Sequence, residues 1–182
     1  MTQSLFLDAC VLFPPLVRGL LLESAAQGVF CPLWSERVLE EWRIAVARQH
    51  GPDGESGALR ARAAMTAAFP GAIVPAEADL ETTINLPDPA DAHVVAAAAG
   101  RAEGILTFNL RDFPARVLAA HGLEARHPDS FLWEALSVQP ETIAQVIEGV
   151  LPAFGIDPAA AKAPLKRALL PRLAKAWAAP RP

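Results

Sequence analysis

Apolar residues in this chain come in short runs separated by Gly, Pro and polar punctuation, and the runs alternate between two periodicities. Ser4 to Leu7 is a brief apolar run that stops at Asp8 and predicts a strand. Val17 to Gln27 has helical spacing and closes at Gly28, and Val29 to Leu33 reads as a second strand. Ser35 then suits the cap of a helix in which Val38, Trp42 and Ala45 share a face. A polar Gly/Pro break is expected from Gly51 to Gly57. An alanine-rich helix over Ala58 to Phe69, a turn at Pro70-Gly71 and a short strand over Ala72 to Pro75 come after it.

The clearest helix start is Asp88-Pro89-Ala90-Asp91. Asp88 suits the N-cap, Pro89 the first helical position, and Asp91 the acid of a capping box. That helix is expected to run through Val94 and Val95 to about Ala99, with Gly100 and Gly104 at its exit. Ile105 to Phe108 is a continuous apolar strand of the kind buried in a parallel sheet, which leaves Asn109 to Asp112 just beyond a strand end. A helix over Ala115 to Ala120, a strand over Leu123 to Arg126 and a helix over Pro128 to Leu136 continue the alternation. Such a rhythm predicts an α/β fold: a mostly parallel sheet flanked by helices, with its working site beyond the carboxyl ends of the strands. After Val138 the pattern is helical, with Pro140 to Gly155 amphipathic and Asp157 to Trp177 interrupted at Pro164 and Pro171. This predicts a domain over 1–137 and a helical C-terminal extension over 138–182.

Composition narrows the picture. Of 182 residues, 52% are hydrophobic and 20% charged, enough to bury a real core. No apolar stretch is long enough to span a bilayer, and Met1-Thr2-Gln3-Ser4 lacks the features of a secretory signal, so a cytoplasmic location without membrane contact is expected. Cys10 and Cys31 lie in apolar surroundings without metal or disulfide spacing and are expected to be reduced and buried. The four histidines, His50, His93, His121 and His127, show no metal spacing either. Net charge is −4, which excludes coating nucleic acid by bulk electrostatics; any contact with it needs local basic patches. One candidate patch lies after Asp157, the last acidic residue: Lys162, Lys166, Arg167, Arg172, Lys175 and Arg181. It reads either as a solvated helix face or as a contact surface for RNA or a partner.

The acids are the candidate chemistry. Each has an ordinary explanation alone: Asp8 and Asp88 as caps, Asp91 as a helix-dipole acid, Asp112 as the opening of the next helix, and one of Glu40 and Glu41 as a solvated face residue. In combination they put an acid at the end of the first strand, acids at a helix start and polar residues after a later strand. Carboxylates gathered at one strand-end face repel one another unless a cation neutralises them, and hard oxygen donors favour Mg²⁺ or Mn²⁺.

Leu7-Asp8-Ala9-Cys10-Val11-Leu12-Phe13-Pro14 resembles the opening signature of PIN domains, and Asp88-Pro89-Ala90-Asp91-Ala92-His93-Val94-Val95 resembles their central acidic helix. Ile105 to Phe113 is similar to the later strand and polar turn, and Ser35 to Trp42 to the Ser-led helix with the second acid. The resemblance, of the VapC-like toxin type, implies a metal-dependent endoribonuclease using Mg²⁺ or Mn²⁺, often the toxin of a toxin–antitoxin pair. RNA is then the substrate, an antitoxin protein the partner, and a homodimer one possible assembly. Carried over by position, Asp8, Glu41, Asp91 and Asp112 are the catalytic and metal-binding set. Glu40 rivals Glu41, and Asp88, Thr107 and Asn109 are supporting residues. Arg37, Arg43, Arg48 and Arg111 are candidates for RNA phosphates.

Two departures stand out. Cys10 occupies a place where relatives carry a small polar residue, which is expected to loosen hydrogen bonding to Asp8. Asn109 replaces an acid found in some relatives. A PIN-like module without catalysis, binding RNA or protein, is the alternative function. Haloacid-dehalogenase-like phosphatases also begin with a strand-end Asp, but need a second Asp where this chain has Cys10.

Overall fold

The computed structural model describes residues 2–179. Four parallel strands form the sheet: β1 (Ser4–Leu7), β2 (Cys31–Leu33), β3 (Gly104–Leu106) and β4 (Glu124–Arg126). Their spatial order is β2-β1-β3-β4. Leu5, Phe6 and Leu7 of β1 and all of β3 are buried, as central parallel strands covered on both faces must be. Helices flank the sheet, so the expected α/β architecture is the one observed.

Between the strands run α1 (Ala9–Leu12), α2 (Pro15–Ala26), α3 (Glu36–Ala68), α4 (Ala78–Glu81) and α5 (Ala92–Ala98). Ser35 caps α3 by accepting from the Val38 amide at 3.2 Å. The expected break after Gly51 is confined to Gly51 itself (φ 65°, ψ −160°), and helical backbone resumes at Pro52. Only glycine takes that conformation without strain, and proline suits the first turn of the second half of α3. Arg43 pairs with Glu55 and Arg62 with Glu36, so the two halves of α3 lie side by side and antiparallel. A Cβ at Gly54 would lie 2.4 Å from that of His50, and the hairpin therefore closes only over glycine there.

Other boundaries differ from expectation for local reasons. The second strand is Cys31–Leu33 rather than Val29 to Leu33, and Ala72 to Pro75 makes only an isolated bridge, Trp34 to Ile73. The strand expected over Ile105 to Phe108 ends at Leu106, where the Thr107 side chain bonds the next stretch of backbone instead. Asp88 caps a short 3₁₀ turn (Pro89–Asp91) by accepting from the Ala90 amide, whereas Asp91 makes no capping bond, so the capping-box reading fails. Asp112 does not open a helix; α6 (Ala115–Ala119) starts after Pro114. Cys31 is exposed and Cys10 only partly buried, contrary to the expectation that both are buried.

The C-terminal part comprises α7 (Pro128–Val138), α8 (Pro140–Val150), α9 (Lys162–Arg167) and α10 (Pro171–Trp177). The helix expected over Pro140 to Gly155 ends at Val150 and tightens into a 3₁₀ turn, Leu151–Phe154. Pro171 opens α10, while Pro164 sits within the first turn of α9 rather than breaking it. Ile143, Val146, Ile147, Leu165, Leu173 and Trp177 belong to the same apolar core as the sheet strands. Asp129, almost wholly buried, accepts from the Arg172 and Leu173 amides at 3.0 Å each and so anchors the start of α10 to the start of α7. No helix among the described residues is long and apolar enough to cross a membrane. Arg181, the last member of the basic cluster, and Met1 lie outside the described residues.

Candidate functional site

From β1 the chain moves to β2 on one side, and from β3 to β4 on the other. The carboxyl ends of β1 and β3 thus frame the point where strand order reverses, and loops leaving in opposite directions open a crevice there. Asp8 is the first residue after β1; Thr107, Asn109 and Asp112 come after β3.

Asp8 is only 7% exposed, so its charge needs partners. Thr107 Oγ1 donates to Asp8 Oδ2 at 2.7 Å and the Cys10 thiol donates to the same oxygen at 3.1 Å. The thiol in turn accepts from the Phe108 amide at 3.2 Å, and Thr107 Oγ1 accepts from the Asn109 amide at 3.0 Å. Burial, followed by the Asp8 charge, pushes the Cys10 thiol up to about 12, which keeps it a proton donor. Cys10 therefore does not loosen the bonding around Asp8; it supplies part of it. Among the described residues no donor bonds Asp8 Oδ1.

Asp91, half-buried at the start of α5, is the electrostatic centre. Burial and then the charges of Asp8, Asp88 and Asp112 push its carboxyl up to about 6, against a partial offset from His93. Asp8 and Asp112, carried on two other segments, thus both act on Asp91. Asp88 is exposed and its carboxylate caps the Ala90 amide at 2.9 Å; Asn109 is exposed beyond the turn.

Glu40 and Glu41 diverge as adjacent helical residues must. Glu40 is bonded twice by Arg43, at 2.6 and 2.9 Å, on the hairpin side of α3. Glu41 faces α5, where its Oε1 lies 3.2 Å from Arg37 Nε and 3.1 Å from Nε2 of the buried His93. Burial alone would raise the Glu41 carboxyl; the His93 contact and charge, then Arg37, outweigh it and hold the group below its ordinary value. The His93 contact is off the donor direction, so neither ring nitrogen has a well-aligned hydrogen bond. His93 was not legible as a partner of Glu41; the available signal was a histidine inside an otherwise apolar helix start.

Two of the arginines expected to be open to phosphates are already engaged. Arg37 bridges Glu41 and Glu81, and Arg43 bridges Glu40 and Glu55. Arg48 and Arg111 are exposed.

The donor set fits a hard divalent cation. The interacting groups are carboxylates, their repulsion is expressed at Asp91, and one oxygen of Asp8 has no hydrogen-bond donor among the described residues. Among the described residues no three His, Cys, Asp or Glu side chains already form a closed cage. An ion bound by one or two carboxylates and completed by water matches that arrangement.

The description "PIN domain" belongs to the family model that matches residues 4–111, a stretch that includes Asp8, Glu41 and Asp91. The chain belongs to the PIN-domain family. Within this PIN-domain chain, 69 residues are 45% identical to "Putative ribonuclease VapC50" of Mycobacterium tuberculosis. That similarity covers 37% of this chain and spans about two-fifths, 40%, of the relative's length. No solved structure matches the chain significantly.

Proposed function

We propose that this PIN-domain chain is a metal-dependent endoribonuclease of the VapC type, hydrolysing RNA phosphodiester bonds in the cytoplasm as the toxin of a toxin–antitoxin pair. The observation that carries this reading is Asp91, pushed up to about 6 by burial beside Asp8, Asp88 and Asp112 at the strand-order switch. Likeness to a relative named as a ribonuclease supports it. Asp8 and Asp91, with Asp112, would hold Mg²⁺ or Mn²⁺; Glu41 contributes once released from Arg37. When bound, the ion supplies charge neutralisation for the phosphate and a more acidic water.

The chain's own residues do the positioning. Thr107 and Cys10 fix Oδ2 of Asp8 and leave Oδ1 without a donor among the described residues. Asp112 orients the attacking water, and Asp88 fixes the backbone that presents Asp91. Residues 1–137 form the nuclease domain and 138–182 its helical extension, with the cognate antitoxin as partner. Cleavage of a mixed RNA pool with Mg²⁺, Mn²⁺ or EDTA, by wild type and Asp8→Asn, tests this. Metal-dependent cleavage lost in the variant is the expected outcome; cleavage that survives in EDTA or in Asp8→Asn overturns it.

The pairing of Glu41 with Arg37 and His93 favours a second reading, a PIN fold that binds RNA or protein without catalysis. Calorimetric titration with Mn²⁺ separates the two, since this second reading expects no heat of metal binding.

A further inference from the structure

The family match ends at residue 111, and the basic cluster after Asp157 lies wholly beyond it. The structure nevertheless ties part of that cluster to the edge of the sheet that carries Asp8. The Thr107 amide donates to the Arg126 carbonyl at 3.1 Å, and the Phe108 ring packs edge-on against His127 at 5.1 Å. His127 caps α7, whose Asp129 anchors the first turn of α10. Arg172 therefore projects beside the start of α7. Its guanidinium lies 3.3 Å from Ser130 Oγ and 5.8 Å from the centre of the Trp133 ring. Trp133, Arg172, Lys175 and Ala176 line one groove.

Three features of this face are unusual together. Trp133 is 38% exposed, whereas Trp34, Trp42 and Trp177 are all within the core. Arg172 and Lys175, which line the groove with it, make no ion pair among the described residues. No acidic residue comes after Asp157 in the chain. An exposed aromatic ring among cations is the arrangement that stacks a base while neutralising its phosphates, and in a chain of net charge −4 such a patch must be local.

We propose that α7 and α10 form a binding track for single-stranded RNA, with Trp133 stacking a base and Arg172 and Lys175 holding phosphates. The track leads past His127 and Phe108 to the acids around Asp8. It rests on the nuclease reading for its purpose, because the strand would be delivered to those acids. An acidic protein partner would use the charges but has no need of the exposed ring.

The test is binding of a labelled oligoribonucleotide by full-length Asp8→Asn protein in EDTA, where cleavage does not intervene. RNA should quench tryptophan fluorescence, since Trp133 is the exposed indole. Adding Trp133→Ala should weaken binding by about tenfold, and Trp133→Phe should keep most of the affinity while losing the quenching. Lys175→Gln should lower the slope of log affinity against log salt by about 0.7, the signature of one lost phosphate contact on a single strand. Matching thermal unfolding curves exclude misfolding as the cause. Unchanged affinity and salt slope in these variants overturn the track, as does quenching by polyglutamate but not by RNA, which would give the face to an acidic protein. Failure here leaves metal-dependent cleavage by wild type standing, and failure of that cleavage leaves this binding result intact.

Discussion

The hydroxyl of Thr107 donates to Asp8 Oδ2 at 2.7 Å, joining the residues that come immediately after two adjacent parallel strands. Thr107 Oγ1 also accepts from the Asn109 amide, so one buried hydroxyl fixes both a carboxylate and a turn. Thr107→Val keeps the shape and removes both bonds. It should cost about 1–3 kcal/mol of stability and lower metal affinity or cleavage by about 10–100-fold. Chemical denaturation and metal titration check this; wild-type values in both would show that the hydroxyl does not orient Asp8.

Asp91 gives a pH dependence of definite sign. Its carboxyl is raised from 3.8 to about 6, so the folded chain keeps a proton that the unfolded chain has already released. Its contribution to stability is therefore fullest below about pH 4, falls as pH rises toward 6, and stays lost above that. In EDTA, the wild type should lose thermal stability between pH 4 and 7 relative to Asp91→Asn, and Mg²⁺ should restore it at pH 7. Parallel melting profiles for the two proteins would contradict the assignment.

The two thiols should differ sharply in reactivity. Cys31 is exposed, while the Cys10 thiol is pushed up to about 12 and hydrogen-bonded on both sides. Thiolate is the reactive form. At pH 8 a disulfide reagent should titrate one cysteine quickly and the second only after denaturation, with peptide mapping placing the fast label on Cys31. Rapid labelling of Cys10 would show that its contacts with Asp8 and Phe108 are not maintained.

Asp129 should matter for stability rather than for chemistry. Its carboxylate accepts from two backbone amides of α10. Asp129→Ala leaves both without that partner and should cost about 2 kcal/mol, lowering Tm by about 4–8 °C in a chain of this size. Differential scanning calorimetry measures it. A variant with unchanged Tm would mean that α10 is held by its apolar face alone.

Much of the fold was legible because strands and helices announce themselves locally. The Ser4 to Leu7 run, the Ser35 cap and the Asp88-Pro89 start all carry their signals in adjacent residues, and each lies where those signals put it. The hairpin inside α3 was only half legible. Gly51 marked the turn, but the resumption of helix at Pro52 depends on straps, Arg43 to Glu55 and Arg62 to Glu36, between residues distant in the chain. Side-chain partners at the candidate site were the least legible. Whether Cys10 loosens Asp8 or bonds it depends on where Thr107 and Phe108 arrive, and the engagement of Glu41 by His93 depends on how α3 meets α5. Local spacing carries neither relation.

Asp8 and Thr107 stand 99 positions apart. β1 can pair early with β2, but its other edge waits for β3, and translation at about 5–20 residues per second separates β2 from β3 by about 4–15 s. Until β3 emerges, Asp8 has neither the threonine bond that orients it nor the loop that brings Asp112. The growing polypeptide thus carries Asp8 well before the contacts that orient it, and any chemistry at this centre has to wait for the strand that follows α5 rather than for the acid itself.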